Sequence, residues 1–290
     1  MHSLLSIGGN ALDERMENLR KAMPAIYKLY GQGSVIITHG NGPQVGELAS
    51  VEDKALALLT AQTEAEIGIA IKKELLNYFS SKHRHVKVEI VLTTVLVNKK
   101  DGAFRNPTKP IGLYYSEAEM QRLRRMHWSF RKFEKGYRRV VASPAPLKII
   151  NINTIKLLAK GHSIIIAAGG GGIPVLFEKN AYRFAEAVID KDSASYVLAN
   201  NMSIKRMFLL TNVDGAYTNF NSSSRKLIGK VTIGELEEYT KKRYFEQGTM
   251  LPKVNACINF IKNGGSVAVI GNLSKALEVI NMKGCTIIKK

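Results

Sequence analysis

The chain has 290 residues, 45% of them hydrophobic, and its 42 lysines and arginines against 24 aspartates and glutamates give a net charge of +18. This length and composition predict a globular protein with a sizeable core, and the charge favours anionic partners. Basic residues never run longer than three and no RNA-binding or zinc-finger spacing occurs, which argues against nucleic acid as a partner.

Short β-rich runs alternate with helical patterns, and several runs are apolar throughout, as in strands buried on both faces of a parallel sheet. In chain order, the predicted strands cover residues 3–7, 34–38, 88–97, 163–168, 206–211, 266–270 and 286–288. The predicted helices cover residues 13–30, 44–59, 61–80, 116–127, 153–160, 192–199, 233–243, 252–262 and 274–280. Pro24 is expected to kink or split the first helix. The alternation predicts an open α/β sandwich.

Residues 98–142 interrupt this alternation. They read as turns, one short helix and two strand-like pieces at 129–133 and 138–141, and they contain the single tryptophan of the chain. We interpret them as a small protruding subdomain within a single domain of residues 1–290. This domain divides into an N-terminal half of about residues 1–160, which contains the subdomain, and a C-terminal half of about residues 161–290.

Three predicted strands run into glycine-rich loops. These loops follow the first, second and fourth strands, and they contain Gly8, Gly9 and Asn10, then Gly40, Asn41 and Gly42, then Gly170 and Gly171. Ligands of open parallel sheets bind beyond the carboxyl ends of strands, and bare amides near a helix N-terminus attract anions. No loop has the Walker or the dinucleotide-binding spacing. One such loop alone is a common tight turn, but three together predict a shared phosphate-binding crevice.

Three lysines stand where they could balance the charge of a phosphoryl group in transfer, a reaction that depends on positioning and on nearby cations. Lys109 lies between two prolines in NPTKPIG, Lys191 lies between two aspartates in VIDKDSAS, and Lys253 opens a predicted helix. A lysine at a helix start opposes the macrodipole, which suggests an anion nearby. Each lysine alone is also compatible with an ordinary surface group.

Two acidic motifs each have two interpretations. Asp192 follows Lys191 at a predicted helix start, where it could orient the lysine ammoniums or serve as the N-cap, and the two roles are compatible. The strand-end turn LLTNVDGAY contains Asp214 before Gly215. It is either an Asp-Gly turn alone or the wall of a nucleotide pocket.

The remaining features favour a cytoplasmic protein. Cys257 and Cys285 lie in no metal or redox motif, which favours a reducing compartment over a disulfide scaffold. The N-terminal MHSLLSIGGN lacks the basic segment and long apolar run of a signal peptide. No apolar stretch reaches the roughly 20 residues that cross a bilayer, so we expect no membrane partner.

Together these motifs resemble those of carbamate kinases, a branch of the amino-acid kinase superfamily. The segments that carry the resemblance are IGGNAL, THGNGPQVG, AFRNPTKPIG, GYRRVVASPAP, AAGGGGIPV, AVIDKDSAS, LLTNVDGAY and MLPKVNA. The resemblance implies a three-layer αβα sandwich with a mixed, largely parallel central sheet, working as a homodimer. It also implies reversible phosphoryl transfer between ATP and carbamate, giving ADP and carbamoyl phosphate, with Mg²⁺ held through phosphates rather than by protein ligands.

By the same resemblance, the loops at Gly8–Asn10 and Gly40–Gly42 would hold the transferred phosphoryl and the carbamate. Lys109 would reach in from the subdomain, while Lys191 and Lys253 would stabilise the bridging and transferred oxygens. Asp192 would hold the lysines in register. The N-terminal half of the domain would hold the phosphoryl acceptor. The C-terminal half would bind the adenine nucleotide through Thr211, Asn212, Val213, Asp214, Tyr217 and Met250.

The chain also departs from the family pattern. Asn212 stands where the family usually has Asp, and Leu251 stands where it has Gly. These departures leave two alternatives open: a kinase of another small acid or phosphate on the same fold, and a catalytically silent nucleotide-binding regulatory protein. The motif NPTKPIG argues against the first, because kinases of acetylglutamate, uridylate or isopentenyl phosphate lack it.

Overall fold

The computed structural model describes residues 2–8, 16–126, 128–220, 222–246 and 248–290. The helices of these residues are α1 Glu17–Tyr30, α2 Gly42–Val51, α3 Leu56–Ser80, α4 Glu117–Leu123, α5 Ile152–Lys160, α6 Lys191–Asn201, α7 Ile233–Lys241, α8 Met250–Lys262 and α9 Ala276–Ile280. Within the described ranges, no helix has the length and apolar character needed to cross a membrane.

The strands found in the described ranges belong to four sheets. They are β1 Ser3–Ile7, β2 Val35–His39, β3 Val88–Val91, β4 Thr94–Val97, β5 Lys109–Tyr115, β6 Ser129–Phe133, β7 Gly136–Val141, β8 Pro146–Ile149, β9 Ile164–Ala167, β10 Ile173–Glu178, β11 Ala181–Phe184, β12 Arg206–Thr211, β13 Tyr217–Thr218, β14 Lys226–Leu227, β15 Lys230–Thr232, β16 Val267–Asn272 and β17 Thr286–Lys289.

The central sheet has eight strands in the order β15-β17-β16-β12-β1-β2-β9-β3. Its neighbours pair in parallel except β16 and β17, which are antiparallel. Successive residues of the middle strands enter opposite cores. Leu4 packs with the core that α5 to α8 cover, whereas Leu5 packs with the core that α1, α3 and α9 cover. The expected three-layer αβα sandwich with a mixed, largely parallel sheet is therefore confirmed.

Two smaller sheets flank this sandwich. One has the order β11-β10-β4-β8, and the other is an antiparallel sheet with the order β5-β7-β6. The second lies within residues 98–142, which the sequence analysis interpreted as a protruding subdomain, and its first strand begins at Lys109. The strand expected at residues 138–141 is there, but β5 was missed because its proline-rich start reads as a turn.

Several predicted boundaries are wrong. The strand expected at residues 88–97 is two strands in different sheets, because the Thr93 N–H donates to the Glu64 carboxyl and the chain turns between them. The break between the second and third helices lies at residues 52–55 rather than at residue 60. Pro24 does not split α1, and the helix start expected at residue 13 lies outside the described residues.

Candidate functional site

A cleft of about 780 Å³ lies beyond the carboxyl ends of the central strands. Gly8 follows β1, Gly40 follows β2, and Thr211 is the last residue of β12, so three adjacent strands end at this cleft. The predicted site residues that line it are Gly8, Gly40, Asn41, Gly42, Lys109, Gly170, Lys191, Asp192, Thr211, Asn212, Val213, Tyr217, Met250 and Lys253. The chain thus brings the glycine loops and all three lysines of the prediction to one place.

The lysines are organised around two aspartates. Asp192 is 2% exposed, and its Oδ1 accepts a hydrogen bond from Lys191 Nζ at 2.5 Å while its Oδ2 accepts one from Lys253 Nζ at 2.8 Å. Lys109 Nζ donates to Oδ2 of Asp190 at 3.1 Å. Three ammoniums facing two carboxylates leave an excess of one positive charge in this cluster, and Arg138 and Arg243 against Glu246 add one more in the cleft lining, which suits an anionic ligand.

Burial and pairing compete over the ionisation of this cluster. Burial opposes ionisation of Asp192, but attraction by Lys191 and Lys253 outweighs it and holds the pKa of Asp192 well below its usual range. Burial lowers the pKa of Lys191 despite its contact with Asp192. Burial acts in the same direction on Lys253, but Asp192 outweighs it and raises the pKa of Lys253. Of these two lysines, Lys191 is therefore the one that loses its proton more readily.

Asp190 is the N-cap of α6, which corrects the interpretation of Asp192 as a possible cap. Its Oδ1 accepts hydrogen bonds from the backbone N–H groups of Asp192 at 3.0 Å and Ser193 at 3.1 Å. The other oxygen faces Lys109. Burial opposes ionisation of Asp190, yet Lys109 and the other lysines hold its pKa below the usual value. The Asp190 carboxylate thus caps the helix that carries Lys191 and also pairs with Lys109 of the three-stranded sheet.

The four consecutive glycines are required by the protein's own neighbouring groups. A Cβ on Gly169 would lie 2.4 Å from the His39 ring, and one on Gly170 would lie 2.1 Å from Asn41 Nδ2. Gly170, Gly171 and Gly172 also have positive φ angles of 64°, 92° and 82°. The loop that follows β9 is therefore pressed against the loop that follows β2.

Helix α3 supports both of these loops from behind. Thr63 Oγ1 accepts a hydrogen bond from Asn41 Nδ2 at 2.8 Å, and Glu64 Oε1 accepts one from the Gly169 N–H at 3.0 Å. Glu64 is fully buried, and burial raises its pKa to about 8. Burial also lowers the pKa of the neighbouring His39 to about 4. Both groups are consequently uncharged at neutral pH.

The three-stranded sheet meets the sandwich at a glycine pair. A Cβ on Gly46 of α2 would lie 1.9 Å from the backbone nitrogen of Gly112 in β5, so the two backbones are in direct contact. Arg138 of β7 donates to the Gly112 carbonyl at 2.8 Å and lines the cleft. This contact fixes the sheet that carries Lys109 relative to the helix that begins at Gly42.

Four predicted site residues are not placed in the cleft wall. Gly9 and Asn10 lie outside the described residues. Gly171 is buried and does not line the cleft, and a Cβ on it would meet the Ile189 carbonyl at 2.4 Å. Asp214 does not line the cleft either, and its carboxylate pairs with Lys275 at 3.0 Å. The roles given to the predicted site residues stay predictions.

Several residues that the fold brings to the cleft or behind it were not predicted as site residues. They are Ser6, Thr63, Glu64, Arg138, Asp190, Asn219, Phe220, Arg243, Tyr244 and Glu246. Asp190 carried a readable signal, because an aspartate before a lysine and a serine at a helix start is a typical N-cap. The others are ordinary strand, helix or loop residues in the sequence, and only the packing of distant elements gives them a place near the site.

The comparisons with known proteins agree with this geometry. The pattern of the Amino acid kinase family matches residues 3–272. The carbamate kinase of Pyrococcus horikoshii is 37% identical over 97% of this chain and 96% of its own length, and that of Thermoplasma acidophilum is 36% identical over 98% of each. A structure of carbamate kinase from Giardia lamblia bound to AMP-PNP has a TM-score of 0.88 and 32% identity, and the match covers 100% of this chain and 98% of that one.

The family match covers most of the chain, and the relatives align along nearly their whole length. The fold and the sequence identity therefore lead to the same family. The chain belongs to the amino acid kinase family of phosphotransferases and, within it, to the carbamate kinases.

Proposed function

We propose that this protein transfers a phosphoryl group reversibly between carbamoyl phosphate and ADP, giving carbamate and ATP. The observation that carries the proposal is the convergence of Lys109, Lys191 and Lys253 on Asp190 and Asp192 in one cleft. Glycine loops line one part of this cleft, and the ends of β12 and α8 line another. The similarity to a carbamate kinase solved with AMP-PNP supports the nucleotide assignment.

The reaction needs positioned positive charge more than acid–base chemistry. The bond between phosphorus and the carbamoyl oxygen breaks, a bond to a terminal oxygen of ADP forms, and no proton has to move. The lysines offset the charge on the transferred oxygens, and the lining amide of Gly42 at the start of α2 holds the phosphoryl group. The N–H groups of Gly8 and Gly40 donate instead to the carbonyls of Leu210 and Ile7, so these two glycines contribute space beside the cleft rather than donors. Asp192 keeps Lys191 and Lys253 side by side at a separation that two bare ammoniums would resist.

Mg²⁺ enters this proposal with the nucleotide, held through phosphate oxygens. The carboxylates of the cluster are already engaged: Asp192 binds two lysines, and Asp190 binds Lys109 and two backbone amides. When bound, the cation would neutralise part of the phosphate charge and help to align donor and acceptor. The protein's contribution is then the lysine cluster and the glycine loops.

The proposal includes a homodimer in the cytoplasm. Ile69 and Leu76 lie exposed seven residues apart on one face of α3, and Phe177 and Tyr182 form a second exposed apolar pair on β10 and β11. Clusters of exposed apolar side chains are typical of protein interfaces. Ile69→Glu should shift the sedimentation coefficient towards that of a monomer, whereas Leu157→Glu on exposed α5 should not.

The proposed cytoplasmic location rests on the cysteines. Both are buried and unpaired, which agrees with a reducing compartment.

A coupled assay tests the activity. Purified protein is mixed with carbamoyl phosphate, ADP and MgCl₂, and ATP formation is followed through hexokinase and glucose-6-phosphate dehydrogenase. We expect saturable turnover with both substrates. Folded protein that binds ADP by calorimetry but forms no ATP would refute the proposal, and activity with another small acid or phosphate in its place would redirect it to a different acceptor.

A further inference from the structure

Ser6 places a hydroxyl group beneath the site, near the carboxyl end of β1. It lies in β1, which pairs with β2 on one side and β12 on the other, and it is fully buried. Its neighbours in the register are Thr38 and Leu209. A buried hydroxyl is costly unless it is hydrogen-bonded, so the position of its partners shows what it does.

The partners of Ser6 are the two central residues of the ion cluster. Lys191 Nζ donates to Ser6 Oγ at 2.9 Å, and Ser6 Oγ donates to Asp192 Oδ1 at 3.2 Å. Lys191 Nζ also donates to the same Oδ1 at 2.5 Å. The three groups therefore close a triangle in which the ammonium only donates, the carboxylate only accepts, and the hydroxyl does both.

This triangle determines what the ammonium of Lys191 can still offer. An ammonium has three N–H bonds, and two of them are taken by Ser6 and Asp192. Lys191 lines the cleft, so the third is the one left for a bound phosphoryl oxygen. The direction of that bond depends on both buried contacts, because a single contact to Asp192 would leave the ammonium free to rotate.

We propose that Ser6 is a positioning residue for the phosphoryl transfer, in that its hydroxyl fixes the Lys191 ammonium against Asp192 and directs the remaining N–H into the cleft. The inference rests on the proposed function for its kinetic consequence, but the contact it describes is independent of the substrate.

Ser6 should also affect how firmly Lys191 keeps its proton. The charged groups around Lys191 are Asp190 and Asp192 on its own helix and Lys253 on α8, and the buried His39 on β2 is uncharged at neutral pH. Burial already lowers the pKa of Lys191. Loss of the Ser6 oxygen removes an acceptor from the charged form, so the pKa should fall further.

The same strand provides a matched control. Ser3 is also in β1 and is 1% exposed, but its Oγ has no hydrogen-bond partner among the residues that the structure describes. Ser3→Ala and Ser6→Ala remove the same atom from equally buried positions. A merely structural role of Ser6 would make the two variants alike in everything except thermal stability.

The experiment compares Ser6→Ala, Ser6→Thr and Ser3→Ala with the unaltered protein. We expect Ser6→Ala to lower kcat about tenfold with less than a twofold change in KM for ADP, and to shift the alkaline limb of kcat to lower pH. Ser6→Thr, which keeps the hydroxyl, should recover most of kcat, and Ser3→Ala should match the unaltered protein. An unchanged kcat and pH profile in Ser6→Ala would overturn the inference, as would equal losses in Ser6→Ala and Ser3→Ala.

A spectroscopic titration separates this inference from the proposed function. The side-chain signal of Lys191, assigned by its disappearance in Lys191→Ala, is followed by NMR against pH in the unaltered protein and in Ser6→Ala. A downward shift of its midpoint in Ser6→Ala supports the contact even if the protein shows no turnover, in which case only the proposed function fails. An identical titration in both proteins overturns the role of Ser6 whatever the activity.

Discussion

Lys253 Nζ lies 2.8 Å from Oδ2 of Asp192, although 61 residues separate them in the chain. The contact exists because α8, which carries Lys253 in its first turn, packs against α6, which carries Asp192 in its own first turn. A lysine in the first turn of a helix opposes the macrodipole, and the carboxylate offsets that cost. Without Asp192, a lysine in the first turn of α8 would be unfavourable. The pair therefore keeps a positive charge at the start of this helix.

Replacement of Lys253 by alanine should remove charge stabilisation that acts only during transfer. We expect kcat of Lys253→Ala to fall by about 10² to 10³, equivalent to about 3–4 kcal/mol. Lys262→Ala serves as the control, because Lys262 lies at the other end of α8 and pairs with Glu237 on the surface. Steady-state kinetics of both variants decide the matter, and similar rates for both would exclude Lys253 from the transfer step.

Asp192 is expected to matter for stability as well as for rate. Asp192→Asn keeps the shape but leaves Lys191 and Lys253 buried without their counter-charge, a change that typically costs about 3–5 kcal/mol. Asp214→Asn breaks the more exposed pair with Lys275, which should cost at most about 1 kcal/mol. Urea denaturation of both variants measures the difference, and equal losses would show that the buried cluster contributes no more than a surface pair.

The sequence was most informative where one local pattern determines the outcome. Strands β1 and β12 have the predicted bounds, because their apolar runs have no other stable place than the middle of a parallel sheet. The three lysines were found because loop prolines, flanking aspartates or a helix start set them apart. Local signals of this kind need no knowledge of the tertiary contacts.

The features that were missed depend on contacts between distant segments. The phosphate-binding role of the loop with Gly170 stays a prediction, but its packing was not foreseen: side chains on the four glycines would meet His39, Asn41 and the backbone at Ile189 and Thr93. Glu64 reads as one acidic residue on a helix that contains several. It becomes a buried support for Gly169 only because α3 crosses behind the loop that follows β9. Packing, rather than propensity, gives such residues their roles.

The two functions of Asp190 can be separated by two substitutions. Asparagine caps helices about as well as aspartate, so Asp190→Asn should lose only the stability that comes from the charge, whereas Asp190→Ala should lose about 1 kcal/mol more with the cap. Both remove the charge that faces Lys109, and both should therefore lower kcat, by roughly tenfold if the charge-assisted hydrogen bond is worth about 1.5 kcal/mol. Thermal melts and kinetics on the same samples test this, and a fully active Asp190→Asn would contradict the role of the charge.

The contact between Gly46 and Gly112 should tolerate no side chain. A Cβ on Gly46 would lie 1.9 Å from the Gly112 nitrogen, so Gly46→Ala must push β5 and Lys109 away from α2. We expect a loss of about 1–3 kcal/mol in stability and a lower kcat. Gly234→Ala in α7 meets open space and should be neutral or slightly stabilising. Urea denaturation and turnover of the two variants provide the comparison. Unchanged stability and turnover in Gly46→Ala would mean that β5 can move away from α2 without cost.

The buried carboxyl of Glu64 should make the free energy of unfolding fall as pH rises, which is opposite to the effect of a carboxylate held in an ion pair. Its pKa is about 8 in the folded protein against 4.5 in the unfolded chain, so between these values only the unfolded state releases the proton. The free energy of unfolding of the unaltered protein, minus that of Glu64→Gln, should therefore fall as pH rises from about 5 to 8, by up to about 1.4 kcal/mol per pH unit.

Glu74, on the same helix, provides the control. Its pKa is lowered by Arg20, so its contribution to stability is lost only as pH falls below about 4.5. The corresponding difference for Glu74→Gln should stay flat between pH 6 and 8. Urea denaturation at four pH values distinguishes the two, and a flat difference for Glu64→Gln would mean that the carboxyl is ionised in the folded protein.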